Sequence, residues 1–290
     1  MTSRAIDHLV VPSRDLDDLA ETYRRLGFRV GSRNRHPWGT ENHIVQFQGN
    51  FLELLGFADD FRPLSLDDPA FPFAGFLQNH LVHDRHGVAM AVFRSTNAEE
   101  DAELFARDGI GQGRLLPFSR FAKGPDGSDK TVAFTVAFTN AAAMPHVGFF
   151  TCQQHRPENF WNPAVQVHDN GTLTVAGIVI VSEDPSVPAD FLRHFTGERT
   201  VSEIPGGLAL VADSSRIEVI TSPAFRLRYE RSGSAEAGDP RIAAILLSVA
   251  SLEQTRGYLT AQHVPWRQTG DRIIVDPVQE AGYSLVFGQG

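Results

Sequence analysis

The sequence predicts an α+β fold made of four βαβββ modules that pair into two domains. The chain has 290 residues, a length at which hydrophobic cores usually divide into two. A pattern of one strand, one helix and further strands occurs four times. Such internal repetition indicates a fold built from copies of one supersecondary unit. In the first three copies the predicted helix ends at a glycine, namely Gly27, Gly109 and Gly197, as expected of a C-terminal cap.

The first module is predicted within residues 5–56. Its first strand, 5–11, is apolar and β-branched around His8. The helix that follows has apolar residues at helical spacing, with Ser13 as its expected N-cap and Gly27 as its end. Three further strands are predicted at 28–32, 43–47 and 51–55.

The same order is predicted three more times. The second module has a strand at 88–94, a helix at 97–107 and strands at 131–139 and 146–152; the third has 175–181, 188–195, 208–212 and 216–221; the fourth has 242–249, 252–261, 272–275 and 283–287. The polar stretch 155–171 is the expected boundary between domains 1–158 and 172–290. Segment 58–85 is expected to cover a pocket mouth, and segment 229–239 to be a solvated connection.

Composition and charge narrow the class of protein. Hydrophobic residues make up 42% of the chain and charged residues 21%, as in ordinary soluble globular proteins. The net charge is -9 and no basic run occurs, which argues against a nucleic-acid partner. No apolar run has membrane-spanning length and the N-terminus lacks a signal core, so no membrane partner is expected. Cys152 is the single cysteine, which excludes an internal disulfide and favours a cytoplasmic location.

Three motifs in the first 56 residues carry a resemblance to a known family. They are Ile6-Asp7-His8-Leu9-Val10-Val11, Arg35-His36-Pro37-Trp38-Gly39-Thr40-Glu41-Asn42-His43 and Phe51-Leu52-Glu53-Leu54-Leu55-Gly56. With the repeated module, they resemble the glyoxalase-like branch of the vicinal-oxygen-chelate superfamily, which also contains glyoxalase I, extradiol dioxygenases and bleomycin-resistance proteins. The resemblance implies two tandem glyoxalase-like domains, in which paired modules curl into a cup and side chains on their first and last strands hold a divalent metal.

The resemblance implies an incomplete metal site in the first domain. His8 matches the ligand on the first strand of the first module, and Glu53 matches the ligand on its last strand. In the second module the corresponding positions fall near Ala89 or Met90 and at 151–153, where there is neither histidine nor carboxylate.

The second domain is expected to be metal-free. The third module keeps Glu218 but has no histidine at 176–178, and the fourth has Leu285 at the carboxylate position. This domain is expected to act as a scaffold, to close a cleft or to bind a ligand without catalysing a reaction.

His8 and Glu53 each have a second interpretation. His8 is predicted to share a strand face with Ile6, where a histidine is either a hydrogen-bonded core residue or a ligand. Glu53, between apolar neighbours, would be costly to bury without a metal or an arginine, for which Arg33 and Arg35 are the candidates.

A third donor is needed, because two protein ligands alone bind a divalent ion poorly. His155 is the first choice, followed by His86 and His83, and each is also explained as an exposed loop histidine. Imidazole and carboxylate donors would suit Zn, Ni, Fe(II) or Mn.

Two groups of residues are candidate substrate contacts. His36, Trp38, Asn42 and His43 either line a pocket at one edge of the cup or form a surface loop anchored by the tryptophan. Arg114, Arg120 and Lys123, in a predicted loop at 111–127, either grip a carboxylate or phosphate or form a solvated basic loop.

These features favour a metal-dependent lyase or isomerase that acts on a small carbonyl or oxygen-rich molecule. The resemblance implies that the metal polarises an oxygen of the substrate and that Glu53 alternates between ligand and general base. One alternative is a non-catalytic small-molecule binder with Trp38, Phe47 and Trp161 lining an apolar cleft. The other is an extradiol-type dioxygenase, with Fe(II) and a second histidine from His155 or His86. A homodimer is compatible with each of these functions.

Overall fold

The computed structural model describes residues 3–65, 67–85, 87–123, 128–230, 240–276 and 282–289. Within these ranges the chain forms two eight-stranded β-sheets and seven α-helices. None of these helices is long and apolar enough to cross a membrane.

The first sheet and its helices come first in the chain. They are β1 (Ile6–Pro12), α1 (Leu16–Arg25), β2 (Asn34–Arg35), β3 (Thr40–Gln46), β4 (Phe51–Phe57), α2 (Phe71–Val82), β5 (Met90–Arg94), α3 (Ala98–Arg107), β6 (Leu115–Lys123), β7 (Asp129–Phe138), β8 (Gly148–Gln154) and α4 (Pro157–Phe160). A 3-10 turn, Pro163–Val165, leads on to the second sheet.

The second sheet repeats this arrangement. Its elements are β9 (Thr172–Val181), α5 (Ser186–Thr196), β10 (Ser202–Ile204), β11 (Gly207–Ala212), β12 (Ser215–Ile220), α6 (Ser222–Tyr229), β13 (Arg241–Val249), α7 (Leu252–Ala261), β14 (Arg267–Thr269), β15 (Arg272–Val275) and β16 (Ser284–Gln289).

Both sheets have the same strand order. It is β2-β3-β4-β1-β5-β8-β7-β6 in the first and β10-β11-β12-β9-β13-β16-β15-β14 in the second. At the centre of each sheet the first strands of two modules pair antiparallel, and each also pairs parallel with the last strand of its own module. Each half-sheet is therefore one βαβββ module, which confirms the predicted fold class. The expected boundary at 155–171 falls between β8 and β9.

Short polar side chains begin several of the helices. The N-cap of α1 is Asp15, whose carboxylate accepts a hydrogen bond from the backbone N–H of Asp18. The prediction of Ser13 as this cap is wrong, because the Ser13 hydroxyl donates to the carbonyl of Asp15 instead. Gly27 follows α1 with φ of 88°, a conformation that favours glycine.

Two strand predictions in the first sheet need correction. Residues 28–32 form no strand, and Gly31 donates a single backbone bond to Ile44 where a ladder was expected. The predicted loop 111–127 contains β6, which pairs antiparallel with β7 along its length. Its proline, Pro117, hid the alternating pattern, and the sheet tolerates this residue because β6 is an edge strand.

The segment expected to cover a pocket contains α2, which the sequence did not reveal. Its N-cap residue, Ala70, makes no capping bond, and Pro72 lies in the first turn. The helix buries Phe73 and Leu77 against the first sheet. In the second sheet α6 occupies the same place in the chain order and buries Phe225.

The apolar core has three parts. The largest cluster lies between the two sheets and includes residues of α1, α3, α5 and α7 together with Leu52 and Ile178. A second cluster, including Val10 and Phe150, lies on the opposite face of the first sheet, which we call the cup. A third cluster occupies the corresponding face of the second sheet. The central cluster holds the two sheets together, since burial of apolar side chains is the main stabilising term.

A buried histidine connects the segment between the sheets to the first module. His168 Nδ1 accepts a hydrogen bond of 3.0 Å from the backbone N–H of Arg29, and its Nε2 lies 2.9 Å from the carbonyl oxygen of Gln46. The neutral ring with its proton on Nε2 satisfies both contacts. Burial lowers the pKa of His168 to about 4.

This histidine predicts an acid-dependent loss of stability. Between pH 6.5 and about 4 the unfolded chain binds a proton at His168 that the folded protein does not, so the free energy of unfolding falls as the pH falls. We expect His168→Gln to be less stable than wild type at pH 7. Below pH 6.5 its free energy of unfolding should depend less steeply on pH than that of wild type, by up to about 1.4 kcal/mol per pH unit. Urea unfolding from pH 7 to 4.5 measures both quantities. His155→Gln is the matched control at an exposed position, and equal slopes in all three proteins would contradict the assignment.

Candidate active site

A narrow cavity opens in the cup of the first sheet. It contains about 510 Å³ of space. It is lined by His8, His36, Trp38, Asn42, Ile44, Phe51, Glu53, Phe73, Leu116, Phe118, Arg120, Phe134, Val136, Phe150, Cys152 and Phe160. A largely apolar wall with a few convergent polar groups is typical of a small-molecule site.

A β-bulge in β1 turns His8 into this cavity. The pairing of β1 with β5 shifts between Ile6 and His8, so that Asp7 is an extra residue in β1. Ile6 lies in the cluster between the sheets, whereas His8 lines the cavity. The prediction that these two residues share a face is therefore wrong, because the bulge interrupts the alternation of side chains.

Asp7 fixes the orientation of His8. The Asp7 Oδ1 atom lies 2.7 Å from His8 Nδ1, and Gln154 Nε2 donates to Asp7 Oδ2 at 2.8 Å. The imidazole also stacks on the ring of Phe51, with 4.3 Å between the ring centroids. Since Nδ1 donates to Asp7, Nε2 is the nitrogen directed at Glu53, whose Oε2 lies 3.8 Å away. Sequence reasoning did not identify Asp7, because a strand without a bulge would direct it away from the cup.

Glu53 is the buried carboxylate at the centre of the site. Asn42 Nδ2 donates to its Oε1 at 2.5 Å, while His36 Nε2 lies 3.6 Å from the same oxygen. Burial raises the pKa of Glu53, and the nearby His8 and the bond from Asn42 oppose this effect.

The arginines proposed as partners of Glu53 lie elsewhere. Arg33 pairs with Asp17 and Glu41, and Arg35 pairs with Asp60 at 2.7 Å. Neither contacts Glu53, so that prediction is wrong: Arg33 precedes the short strand β2, Arg35 ends it, and both extend toward other carboxylates.

His36 approaches the same oxygen of Glu53 that Asn42 bonds. Its Nδ1 lies 2.8 Å from the hydroxyl of Thr40, and its ring stacks on Trp38 with 4.8 Å between centroids. Burial, with the charges of Arg120 and His8, lowers the pKa of His36 to about 3. His36 is therefore a neutral imidazole at neutral pH, the form in which histidine binds metals.

Arg120 reaches the same cavity from β6, on the second module. Its Nη1 donates to Asn34 Oδ1 at 3.1 Å and, at 3.4 Å, to the carbonyl of Phe121. Burial lowers the pKa of Arg120, and the charge of Glu53 opposes this effect.

Several predicted site residues lie outside the cavity. His155 follows β8, is exposed and lies 2.8 Å from the hydroxyl of Thr135. His43 alternates with Asn42 along β3, so it points away from the cup and contacts the carbonyl of Gly31. Arg114 lines a separate surface groove.

The remaining candidates do not add to this group. His83 follows α2, away from the cavity lining. His86 and the side chain of Lys123 lie outside the described residues.

The register of the sheet identifies the second-module counterparts of His8 and Glu53. Glu53 pairs with Val10 in β1, and the matching pair in the second module is Phe150 with Val92. The matching first-strand position is Met90. The expected carboxylate position at 151–153 is thus corrected to Phe150, whose ring faces the cavity, and this module supplies apolar surface.

The second sheet retains a buried glutamate but neutralises it with arginines. Glu218 accepts from Arg216 at 2.7 Å and from Arg228 at 2.5 Å. Gly177 pairs with Arg216 and occupies the position of His8, where a Cβ atom would lie 1.9 Å from the carbonyl oxygen of Arg216. No side chain fits there with this backbone.

In the fourth module Val286, and not Leu285, occupies the carboxylate position. Val286 pairs with Leu246 and lies in the cluster of the second cup, whereas Leu285 points into the cluster between the sheets. The one-residue correction matters because neighbouring strand residues face opposite sides.

His8, His36 and Glu53 have the donor types of a divalent-metal site. Their two nitrogen–oxygen separations, 3.8 and 3.6 Å, are slightly wider than the ~3.4 Å between ligand atoms around a tetrahedral ion with bonds of about 2.1 Å. As they stand, no three or more His, Cys, Asp or Glu side chains in the described ranges are close enough together to hold a metal ion. The residues fit a metal by chemistry and orientation, with a spacing wider than that of a loaded site.

Comparison with known proteins identifies the family. A family model described as a glyoxalase-like domain matches residues 6–196, which is more than half of the sequence. The chain therefore belongs to the glyoxalase-like domain family, and the resemblance found in its motifs is confirmed. No curated protein sequence matches the chain.

Solved structures share the fold over the whole chain. A hypothetical protein from Staphylococcus aureus has a TM-score of 0.65 and 11% identity, with 98% of this chain and 99% of that chain covered. A mutant of 4-hydroxymandelate synthase from Streptomyces coelicolor has a TM-score of 0.57 and 10% identity, with coverage of 100% and 95%. A xylose isomerase-like TIM barrel/4-hydroxyphenylpyruvate dioxygenase fusion protein has a TM-score of 0.55 and 10% identity, and this chain spans 50% of its length. Such identities show the fold alone.

The two buried glutamates predict opposite responses to neutralisation. In the presence of a chelator, we expect Glu218→Gln to lower the free energy of unfolding by about 2 kcal/mol, less than for a fully buried pair because Arg216 keeps solvent contact. We expect Glu53→Gln to be at least as stable as wild type at pH 7, because burial disfavours its charged form.

The pH dependence provides the check on Glu53. A folded-state pKa raised above the unfolded value costs stability as the pH rises, so the gain from Glu53→Gln should be present at pH 7 and disappear near pH 4. Urea unfolding at both pH values measures the difference. A Glu53→Gln protein that is less stable than wild type at pH 7 would show that the carboxylate is a structural ion-pair partner.

Proposed function

We propose that the cup of the first sheet is the active site of a metal-dependent lyase or isomerase acting on a small oxygen-bearing molecule. The observation that carries this proposal is the position of two imidazole Nε2 atoms, from His8 and His36, beside the two oxygens of Glu53. A buried carboxylate without a contacting cation, inside an apolar cavity, is costly unless a cation joins it.

In this proposal His8, His36 and Glu53 hold the metal. Asp7 acts behind His8, since a carboxylate on the far nitrogen fixes the tautomer and orientation of a metal-binding histidine. Thr40 holds His36 in the same manner. The bound ion would supply Lewis-acid polarisation of a carbonyl or enediolate oxygen of the substrate.

The residues of the chain divide the remaining work. Asn42 holds Glu53 Oε1, which leaves Oε2 available to accept or return a proton at the substrate. The phenylalanines of the wall exclude water and contact the apolar part of the substrate. His155 takes no part in this arrangement, because it is held outside the cavity by Thr135.

A second candidate is an oxygenase of the non-heme iron type. Two histidines and one carboxylate form the ligand set of many such enzymes, and His36 supplies the second histidine that this function needs. Two of the similar structures have names that include 4-hydroxyphenylpyruvate dioxygenase and 4-hydroxymandelate synthase. The identity of the metal separates this candidate from the first.

Metal analysis tests the proposal directly. We expect untagged protein, reconstituted in turn with Zn(II), Ni(II), Mn(II) and anaerobic Fe(II), to retain about one ion per chain after desalting. His8→Ala, His36→Ala and Glu53→Gln should each bind at least about 10-fold more weakly, because each removes one of three donors. His155→Ala is the matched control and should bind as wild type does.

The outcomes of this experiment differ in meaning. A preference for Fe(II), with oxygen consumption in the presence of small aromatic substrates, would favour the oxygenase. If no preparation retains an ion, both proposed enzyme functions are contradicted, and a metal-free small-molecule binder becomes the better interpretation.

The role assigned to Asp7 predicts an intermediate effect. We expect Asp7→Asn to weaken metal binding by about 10- to 100-fold while leaving one ion per chain at saturation, because the ligands remain and only their orientation is disturbed. Isothermal titration with the preferred ion measures both the affinity and the stoichiometry. Unchanged affinity with normal folding would remove Asp7 from the site.

A further inference from the structure

The cavity contains one cationic side chain that the metal site does not use, Arg120. It lies on β6, in the second module, and lines the same cavity as Glu53 and His36. Its fixed charge is distinct from those of the histidines, because a guanidinium stays protonated at any physiological pH.

Arg120 has fewer partners than a buried arginine normally requires. Its Nε atom is buried and has no hydrogen-bond partner among the described residues. Its two recorded bonds use Nη1 alone and go to a side-chain amide and a backbone carbonyl, both uncharged acceptors. Buried polar groups are normally satisfied, and an exception requires an explanation.

Some other buried or half-buried arginines of this protein have carboxylate partners, whereas Arg256 donates to the side-chain oxygen of Gln268. Arg4 pairs with Asp101, Arg228 with Glu218 and Arg267 with Asp276. Glu53 acts on Arg120 only through space, without a bond between them. An anion would give Arg120 the charged partner that it lacks among the described residues.

The surroundings restrict what that anion can be. The wall near Arg120 is aromatic, with Phe118, Phe134 and Phe160 among the lining residues. One guanidinium opposite a glutamate matches a monoanion better than a doubly charged phosphate, and its planar fork matches a carboxylate. A cavity of about 510 Å³ has room for a body of the size of an aromatic ring.

We propose that the ligand of this cavity is a small aromatic carboxylate, with its carboxylate bound by Arg120 and its ring against the phenylalanine wall. The inference rests on the proposed function for the chemistry at His8, His36 and Glu53, but the recognition of the anion needs no metal. Asn34 acts as a positioning residue, since its side-chain oxygen holds Nη1 and leaves Nη2 for the carboxylate.

Matched probes test this proposal. Benzoate, phenylacetate and 3-phenylpropionate are titrated into protein kept in a chelator, in parallel with the corresponding uncharged amides, and tryptophan fluorescence reports binding because Trp38 lines the cavity. At least one carboxylate should bind about 10- to 100-fold more tightly than its amide, the expected gain from a charge-assisted bidentate contact. Equal affinities in every pair, or no binding of any carboxylate, would overturn the proposal.

Two variants assign the discrimination to a residue. Arg120→Gln should lose it, and Arg120→Lys should retain part of it, because an ammonium keeps the charge without the planar fork. Arg114→Gln is the matched control, since Arg114 precedes β6 and lies outside the cavity. Discrimination that survives Arg120→Gln in a protein with a wild-type unfolding curve would contradict the assignment.

The same titrations repeated with the metal-loaded protein separate this proposal from the proposed function. If the protein prefers carboxylates to amides through Arg120 but binds no metal, the proposed ligand class stands and the proposed metal-dependent enzyme is contradicted. If the preference for carboxylates appears only with metal and does not depend on Arg120, the metal ion binds the carboxylate. That result would overturn the inference.

Discussion

The arrangement of the first cup depends on the burial of one carboxylate, Glu53, in an apolar sheet face. An ionised carboxylate loses most of its hydration there, so the neighbouring groups must offset that loss. Asn42 supplies one hydrogen bond, and His8 and His36 approach both oxygens without reaching bonding distance. With one hydrogen bond offsetting its burial, the charged form of this carboxylate is disfavoured, and its pKa is raised.

The second sheet shows the structural solution to the same problem. Glu218 has the same place in its module, and two arginines bond directly to its oxygens. The His8 position has become Gly177, and the backbone leaves no room for a ring. The two sheets thus have the same strand order and one buried glutamate each. Glu218 is neutralised by arginines, whereas Glu53 faces a cavity. The comparison supports function in the first cup and a structural role for the second glutamate.

The modules of the first cup make unequal contributions. The first provides the polar groups His8, His36, Asn42 and Glu53. The second provides Phe118, Phe134 and Phe150, which line the cavity, together with Arg120. The cavity therefore has polar groups on one side and an apolar wall with a single cation on the other, an arrangement that suits the small molecule with two unlike ends proposed above. The pairing of β1 with β5 at the centre of the sheet joins these halves.

The sequence by itself determined the module order and the helix-ending glycines, because these depend on local periodicity. Its short motifs also singled out His8 and Glu53, which the fold brings to one cavity. It could not reveal the bulge at Asp7, since a bulge is defined only by the strand on the other side. Nor could it separate His36 from His43 or Arg120 from Arg114, because a shift of one residue or an unrecognised edge strand reverses the direction of a side chain. His155 was chosen for its place after β8, and only the folded chain shows that Thr135 holds it outside the cavity. Which side chains share a cavity is decided by strand register and by packing between modules, and both arise from contacts between residues far apart in the chain.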